Sequence, residues 1–236
     1  MSLLGVISGT LVMDKSDLFQ KSTLRLMKNE YGQAAALVND RIALVFRHGN
    51  DPDNHILPHL INHQANLQAL KDLGVAEVVG INSTGSLKKD LYPGLIIIPD
   101  DFITQVATPT IHRNKAVHIT PSLNEEVRQK LIGATLRGNI EAVGKGTYWQ
   151  TPGPRLETKA EIKMMVNFAD VVGMTMASEA VIALELGLPY ASACSIDNFG
   201  NGLIEKPLNM EEILIGTHKN ADLMIRLLEG YLQTVS

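Results

Sequence analysis

The stretch from Asp170 to Gly202 constrains the fold more than any other part of this chain. Residues 170–174 form a short apolar run typical of a buried strand, residues 177–186 carry apolar side chains at helical spacing, and residues 190–196 form a second apolar run. A Gly-Leu-Pro tripeptide ends the predicted helix. The pattern predicts a strand–helix–strand unit, which builds a parallel sheet and leaves its chemistry at the carboxyl ends of the strands.

Length and composition favour one α/β domain that spans residues 1–236. No Pro-, Ser- or Gly-rich linker divides the chain, and a hydrophobic fraction of 45% is ample for a large core. The net charge of -4 is spread without a basic block, which argues against a nucleic-acid partner. The sequence has no apolar run of membrane-spanning length and no signal peptide, so we expect a cytoplasmic protein without a membrane partner.

The one cysteine, Cys194, lies inside a predicted apolar strand. A single cysteine excludes an intramolecular disulfide and fits a reducing compartment. A buried thiol is usually inert, so a nucleophilic cysteine is the less favoured interpretation.

Three predicted strands end in polar residues that could face an anion. Ser8-Gly9-Thr10 follows the first strand, Arg47-His48-Gly49 follows a strand at residues 42–46, and Asn82 to Leu87 follows a strand at residues 78–81. The planar fork of an arginine can bind two oxygens of an oxyanion at once, and strand-end turns can present backbone N–H groups. A surface arginine in a loop remains an alternative interpretation of Arg47.

The histidines His55, His59 and His63 are spaced four apart before and within a predicted helix of about four turns that follows Pro58. On one continuous helix they would share a face and could bind a metal. The proline disfavours helical geometry in the residues before it. We therefore predict no metal site, with His55 in a loop near a polar ligand and His63 packed on a neighbour.

The remaining pattern alternates strands and helices. Residues 34–38 and 42–46 predict a hairpin, and residues 146–158 predict a stiff loop that ends in Glu157. The segment 104–120 is polar and irregular, and it could reach a neighbouring subunit. The other predicted elements are strands at 3–7, 95–99 and 140–143 and helices at 123–136, 159–168 and 210–232.

Five segments in this order resemble the trimeric purine nucleoside phosphorylases and the 5'-methylthioadenosine or methylthioinosine phosphorylases. They are Arg47-His48-Gly49 and residues 55–66, 82–87, 151–158 and 172–179. The resemblance implies a single α/β domain of the nucleoside phosphorylase fold, with a mixed sheet that curls into a distorted barrel flanked by helices. It also implies a homotrimer or a dimer of trimers, with a nucleoside and inorganic phosphate as substrates and no cofactor.

The resemblance also assigns roles to individual side chains. Those expected to hold phosphate are Thr10, Arg47, His48, Ser83 and Thr175. Those expected to face the sugar and its 5' group are His55, Met174, Met210 and, lent by an adjacent subunit, His118. Those expected to face the purine are Leu156, Glu157 and Asp197.

The implied reaction is phosphorolysis, in which phosphate attacks C1' of the nucleoside and the purine leaves. It needs an anion held beneath C1' and a group that keeps the proton on N7 of the base. We assign the second role to Asp197, which follows the predicted strand at residues 190–196. A positioned acid or base of this kind contributes on the order of 10²- to 10⁴-fold in rate. A turn residue in the Asp-Asn-Phe-Gly sequence is the alternative interpretation of Asp197.

The residues that should distinguish between purine nucleosides disagree. Glu157 resembles enzymes for 6-oxopurines, whose N1 carries a proton that a carboxylate accepts, whereas Asp197 resembles relatives that handle adenine. An apolar Met210 favours a thiomethyl group over a 5'-hydroxyl. These features predict a 5'-methylthio purine nucleoside, with adenine slightly ahead of hypoxanthine, and inosine or guanosine as the next alternative.

Three other functions stay open at this point. The same fold could hydrolyse nucleosides with water, although a cationic clamp would then have little use. It could also bind nucleosides without catalysis, or the three histidines could support a metal hydrolase.

Overall fold

The computed structural model describes residues 2–9, 17–105, 107, 109–205 and 208–234, without the side chains of Pro52, Met210, Glu211 and Glu212. The strands are β1 (Leu4–Ser8), β2 (Thr23–Asn29), β3 (Gly32–Val38), β4 (Ile42–Phe46), β5 (Glu77–Ser86), β6 (Ile96–Ile97), β7 (Asp101–Thr104), β8 (Ala142–Val143), β9 (Thr147–Gln150), β10 (Val171–Gly173) and β11 (Tyr190–Phe199). The helices are α1 (His63–Asp72), α2 (Glu125–Arg137), α3 (Lys159–Met165), α4 (Met176–Leu186) and α5 (Met210–Leu232).

The strands form one mixed sheet whose centre is β5. This strand pairs in parallel with β1 and β11 and antiparallel with β10. The main path runs β2-β3-β4-β1-β5-β10-β9-β7, and β11, β6 and β8 branch from β5. The mixed α/β fold with flanking helices is therefore confirmed, but the described strands do not close into a barrel.

The predicted strand–helix–strand unit is present as β10, α4 and β11, but its geometry differs from the prediction. Val171 and Val172 pair antiparallel with the end of β5, whereas β11 runs parallel to β5 along most of its length. The expectation that the unit builds a parallel sheet was therefore wrong. The apolar pattern is the same in both directions, and pairing with the distant strand β5 decides which one forms.

Two layers of helices cover the sheet. Helices α1 and α4 pack over one apolar cluster that includes Leu67, Leu70 and Ile182, and α2 and α5 pack over another that includes Leu131 and Leu228. Helix α5 has the predicted bounds. In the described parts of the chain, no helix combines the length and apolar character needed to span a bilayer.

Helix α1 is shorter than predicted. It begins at His63 because the side chain of Asn62 accepts a hydrogen bond from the Ala65 N–H at 2.9 Å and caps the helix. Residues 58–60 form a separate 3-10 turn. His55 and His59 therefore lie before the helix, and the three histidines do not stack on one helical face.

Three strands were not anticipated, namely β2, β7 and β9. Strand β9 occupies the start of the stretch that we had expected to be a stiff loop from residue 146. The hairpin of β3 and β4 is confirmed by its antiparallel register.

Candidate active site

A cavity of about 270 Å³ lies where the ends of β1, β4 and β10 meet the second half of β5 and the end of β11. It brings together most of the side chains that the sequence assigned to a site. Those lining it are Arg47, His48, Ser83, Leu156, Glu157, Met174 and Thr175. Gly9, Pro58, Asn198, Leu208 and Ile213 also line it.

Arg47 is buried at this cavity and is already engaged by the protein. Its Nε and Nη2 donate to the carboxylate of Glu179, with Nη2 3.1 Å from Oε2. Its Nη1 donates to the Ile81 carbonyl at 2.8 Å, and Nη2 also reaches the Ile7 carbonyl at 3.3 Å. The fork that we had expected to bind two ligand oxygens therefore binds Glu179. Burial acts to lower the pKa of Arg47, but the charge and the hydrogen bonds of Glu179, together with smaller contributions from Tyr190 and Tyr148, raise the pKa overall.

Thr175 presents a hydroxyl donor to the cavity. Its Oγ1 accepts a hydrogen bond from Asn82 Nδ2 at 2.8 Å, so its own proton remains available for a ligand. Asn82 Oδ1 in turn accepts from Ser192 Oγ at 2.6 Å. Asn82 and Ser192 are both buried, and they hold Thr175 from beneath the cavity floor.

His48 is held in one tautomer. Its Nδ1 lies 2.6 Å from the carbonyl oxygen of Ile56, and a carbonyl only accepts, so Nδ1 carries the proton. The ring stacks on His55 with centroids 4.4 Å apart. Burial lowers the pKa of His48 to about 4. At neutral pH its Nε2 is therefore an acceptor rather than the cationic donor expected of a phosphate ligand.

Asp197 does not line this cavity. Its carboxylate accepts hydrogen bonds from Ser83 Oγ, from Thr217 Oγ1 at 2.8 Å and from Asn220 Nδ2 at 2.7 Å. The last two residues belong to α5, so Asp197 ties this helix to the sheet. It instead lines a second cavity of about 460 Å³ beneath α5. The hydroxyl of Ser83 donates its one hydrogen bond to Asp197, so towards the first cavity it can only accept hydrogen bonds.

Asn198, which the sequence analysis did not single out, faces the first cavity. Strand β11 changes register here, because Ile196 pairs with Thr84 and Asn198 with Gly85, which leaves Asp197 as an extra residue in a bulge. Asn198 donates one hydrogen bond to the Phe199 carbonyl at 2.9 Å. The signal that could have found it is its place beside Asp197 at a strand end.

Glu157 is buried in the wall of the cavity. One of its carboxylate oxygens, Oε1, accepts from Thr151 Oγ1 at 2.7 Å, and its backbone carbonyl accepts from Asn201 at 3.0 Å. Thr151 therefore fixes the carboxylate and leaves Oε2 for a ligand. Met174 packs against Gly153, where φ is 61° and a side chain would collide with it.

The other predicted site residues are not gathered here. His118 is exposed in the irregular segment after β7 and does not line the cavity. His55 reaches the site only through its stacking on His48. Thr10 and the side chain of Met210 lie outside the described residues.

Two chemical alternatives lose support from the geometry. Cys194 is fully buried, and burial raises the pKa of its thiol to about 12, so it does not form a thiolate at neutral pH. Among the residues that the structure describes, no three His, Cys, Asp or Glu side chains are grouped as a metal site would require.

The chain is similar to several known proteins along nearly its whole length. The chain is 38% identical, over 99% of its length and 97% of the relative, to a probable 6-oxopurine nucleoside phosphorylase of Archaeoglobus fulgidus. It is 36% identical, over 98% of its length and 92% of the relative, to a probable S-methyl-5'-thioinosine phosphorylase of Methanocaldococcus jannaschii. Its fold matches methylthioadenosine phosphorylase from Schistosoma mansoni with a TM-score of 0.87 at 24% identity, over 100% of this chain and 92% of that one. Residues 28–233 match the family model of the phosphorylase superfamily, and the chain therefore belongs to that superfamily.

Proposed function

We propose that this protein catalyses phosphorolysis of a 6-oxopurine nucleoside, with a 5'-methylthio nucleoside such as 5'-methylthioinosine as the preferred substrate. The observation that carries the proposal is the presence of Glu157 and Asn198 in the same cavity as Arg47 and Thr175. One cavity thus holds groups suited to a purine and groups suited to an anion. The reaction needs no metal and no organic cofactor.

Arg47 and Thr175 are the proposed phosphate donors. Arg47 supplies a buried positive charge, and Thr175 supplies a hydroxyl whose proton is not used within the described protein. His48 offers an acceptor at Nε2, which suits a protonated phosphate oxygen or a ribose hydroxyl. Thr10 is also proposed as a phosphate ligand, on the resemblance alone. Ser83 is proposed to accept a hydrogen bond from a protonated phosphate oxygen.

The base contacts favour a 6-oxopurine over adenine. The free oxygen of Glu157 can accept a hydrogen bond from the N1–H of hypoxanthine or guanine. Adenine has no hydrogen on N1 and cannot donate this bond. Asn198 has both an amide donor and an amide acceptor, so it can accept from N7–H of the leaving base or donate to the 6-oxygen. We therefore assign to Asn198 the N7 contact that the sequence had assigned to Asp197, and to Asp197 the support of α5. Leu156 supplies apolar contact for the ring.

An apolar 5' group is favoured by the start of α5. Leu208 and Ile213 flank the predicted 5' reader Met210, and both line the cavity. Met174 lies in the same cavity and is proposed to contact the ribose. His55, which stacks on His48, is also proposed to lie near the sugar. Burial of a thiomethyl group contributes up to about 1–3 kcal/mol of discrimination against a hydroxyl.

We further propose a cytoplasmic homotrimer in which His118 of one subunit completes the cavity of the next. In support, His118 is exposed beside the exposed apolar side chain of Val117. Leu57 and Leu60 are likewise exposed next to Pro58 at the cavity wall, so apolar surface lies near the site. A dimer of trimers would contain the same contact between His118 and the cavity of the neighbouring subunit.

A substrate panel tests the proposal. Methylthioinosine, methylthioadenosine, inosine, guanosine and adenosine are each incubated with and without phosphate, and the free base and sugar 1-phosphate are quantified. We expect phosphate-dependent release of hypoxanthine from methylthioinosine at the highest kcat/KM. Undiminished turnover without phosphate would instead identify a hydrolase, and binding without turnover would identify a nucleoside-binding protein.

A further inference from the structure

Glu179 is a fully buried carboxylate on a largely apolar helix. It lies in the first turn of α4 with 0% of its side chain exposed, among Met176, Ala180 and Ile182. A buried charge is costly unless it is paired and hydrogen-bonded, and an apolar residue would pack there with less penalty. The presence of a carboxylate at this position indicates a role besides packing.

The geometry of Arg47 indicates that role. A guanidinium has five N–H donors, and four of them are used by Glu179, by the Ile81 carbonyl and by the Ile7 carbonyl. Within the described residues the fifth, on Nη1, has no acceptor. Nη1 lies 3.7 Å from the place that a Cβ on Gly9 would occupy, and Gly9 and Arg47 both line the cavity. One N–H is thus left for the cavity.

Tyr190 holds the carboxylate from the other side. Its hydroxyl donates to Glu179 Oε2 at 2.8 Å, and burial raises the pKa of Tyr190 well above its ordinary value, so it remains a donor. A side chain at Gly80 would collide with the Tyr190 hydroxyl, so the absence of one gives this hydroxyl its space. Glu179 is therefore bonded on both oxygens and cannot turn away from Arg47.

We propose that Glu179, held by Tyr190, is a positioning residue that orients the Arg47 guanidinium and so sets the affinity of the cavity for phosphate. The inference rests on the proposed phosphorolysis. Two backbone carbonyls and one carboxylate fix the plane of the guanidinium between β1, β5 and α4, and the remaining N–H points at the anion. Arg47 then offers phosphate one hydrogen-bond donor in a fixed orientation. A lysine could not reproduce this arrangement, because it lacks the planar guanidinium.

A tyrosine-to-phenylalanine pair separates this role from a merely structural one. Tyr190→Phe removes the hydrogen bond to Glu179, and Tyr231→Phe removes a similar buried bond of 2.9 Å to Glu77, which lies at the start of β5 and does not line the cavity. The melting temperature, KM for phosphate and KM for nucleoside are measured for both. We expect Tyr190→Phe to raise KM for phosphate about 3- to 10-fold with KM for nucleoside within about twofold. Tyr231→Phe should lower the melting temperature alone.

A double-mutant cycle tests whether Glu179 acts through Arg47. Glu179→Gln is made in the parent and in Arg47→Met. We expect at least about a tenfold rise in KM for phosphate in the parent and less than about a twofold further change in Arg47→Met. Additive effects would overturn the inference, as would a Tyr190→Phe variant that leaves KM for phosphate unchanged or raises both KM values equally. If Glu179→Gln does not fold, the KM for phosphate of Tyr190→Phe tests the inference by itself.

Failure of the proposed function gives a different result. A parent that turns over nucleoside equally well without phosphate contradicts phosphorolysis. The positioning role is then judged on binding only, by the rise in melting temperature that inorganic phosphate produces in the parent and in Tyr190→Phe. A smaller rise in the variant supports the inference, and an equal rise overturns it.

Discussion

Asp197 and Asn198 are consecutive on β11 and both line the cavity beneath α5, but of the two only Asn198 also lines the cavity that contains Arg47. Asp197 bonds to Asn220 and Thr217 of α5, whereas Asn198 lines the cavity that contains Arg47. A regular strand would turn these neighbouring side chains to opposite faces, but the extra residue in the bulge at Asp197 interrupts that alternation, and both residues reach the cavity beneath α5. The two residues should therefore differ in what their removal changes.

Alanine at these two positions should separate stability from catalysis. Asp197→Ala leaves three donors without their acceptor, and we expect a loss of about 2–4 kcal/mol in the free energy of unfolding. Asn198→Ala should lower kcat by about 10²-fold with little change in stability. Denaturant unfolding and steady-state kinetics check both. A stable but inactive Asp197→Ala, together with an active Asn198→Ala, would return the N7 contact to Asp197.

Glu157 should set the preference for the base. Glu157→Gln replaces an oxygen acceptor with a group that can donate, so the contact to N1–H of hypoxanthine is weakened and the unprotonated N1 of adenine is better accepted. We expect the ratio of kcat/KM for methylthioinosine to that for methylthioadenosine to fall by about 10- to 100-fold. Competition between the two nucleosides measures this ratio directly. An unchanged ratio would remove Glu157 from base recognition.

Thr151 should act on the nucleoside but not on phosphate. Thr151→Val keeps the shape of the side chain and removes the hydrogen bond to Glu157 Oε1. We expect kcat/KM for the nucleoside to fall by about 3- to 10-fold, with KM for phosphate unchanged.

The matched control for this variant is Thr135→Val. Thr135 is a buried threonine of α2 whose hydroxyl donates to the Ile132 carbonyl at 2.8 Å. The same substitution there should leave both kinetic parameters unchanged. Equal kinetic effects of the two variants would contradict a specific role for Thr151.

His63 should contribute to acid destabilisation. It is buried, its Nδ1 has no hydrogen-bond partner among the described residues, and burial lowers its pKa from 6.5 to about 4. The unfolded chain therefore binds a proton below pH 6.5 that the folded chain binds only near pH 4. Stability should fall as pH falls through this window, by about 3 kcal/mol in total for this residue.

The variant His63→Phe should flatten the corresponding part of the curve of unfolding free energy against pH. His48, whose pKa is also lowered to about 4 by burial, keeps its own share of the acid loss in the variant. A curve for His63→Phe that superimposes on that of the parent between pH 6.5 and 4 would contradict the prediction.

His118 should act across a subunit boundary. We expect His118→Ala and Asn198→Ala to be impaired separately and to recover activity when they are co-expressed, because a mixed oligomer contains sites with both native residues. A mixture of Asn198→Ala with Arg47→Met serves as the control, since these residues belong to one cavity in one chain. Absence of recovery in the first mixture would contradict the shared site.

Local sequence pattern determined a large part of this protein. The apolar spacing of residues 177–186 and 210–232 predicted α4 and α5, because a buried helical face requires it. The polar residues after β4 and in the second half of β5 marked the rim on which Arg47 and Ser83 meet. The predicted strand at residues 78–81 was too short, because β5 continues through these polar residues to Ser86.

Only the tertiary structure decided which of these groups face one another. The direction of β10 depends on its pairing with β5, and the positions of Asp197 and Asn198 depend on a bulge, which departs from the period of two that a sequence pattern reveals. Glu179, 132 residues beyond Arg47, looks like an ordinary acid in a first helical turn. Its engagement of the arginine fork arises from packing between distant segments, and a one-dimensional pattern does not encode such contacts.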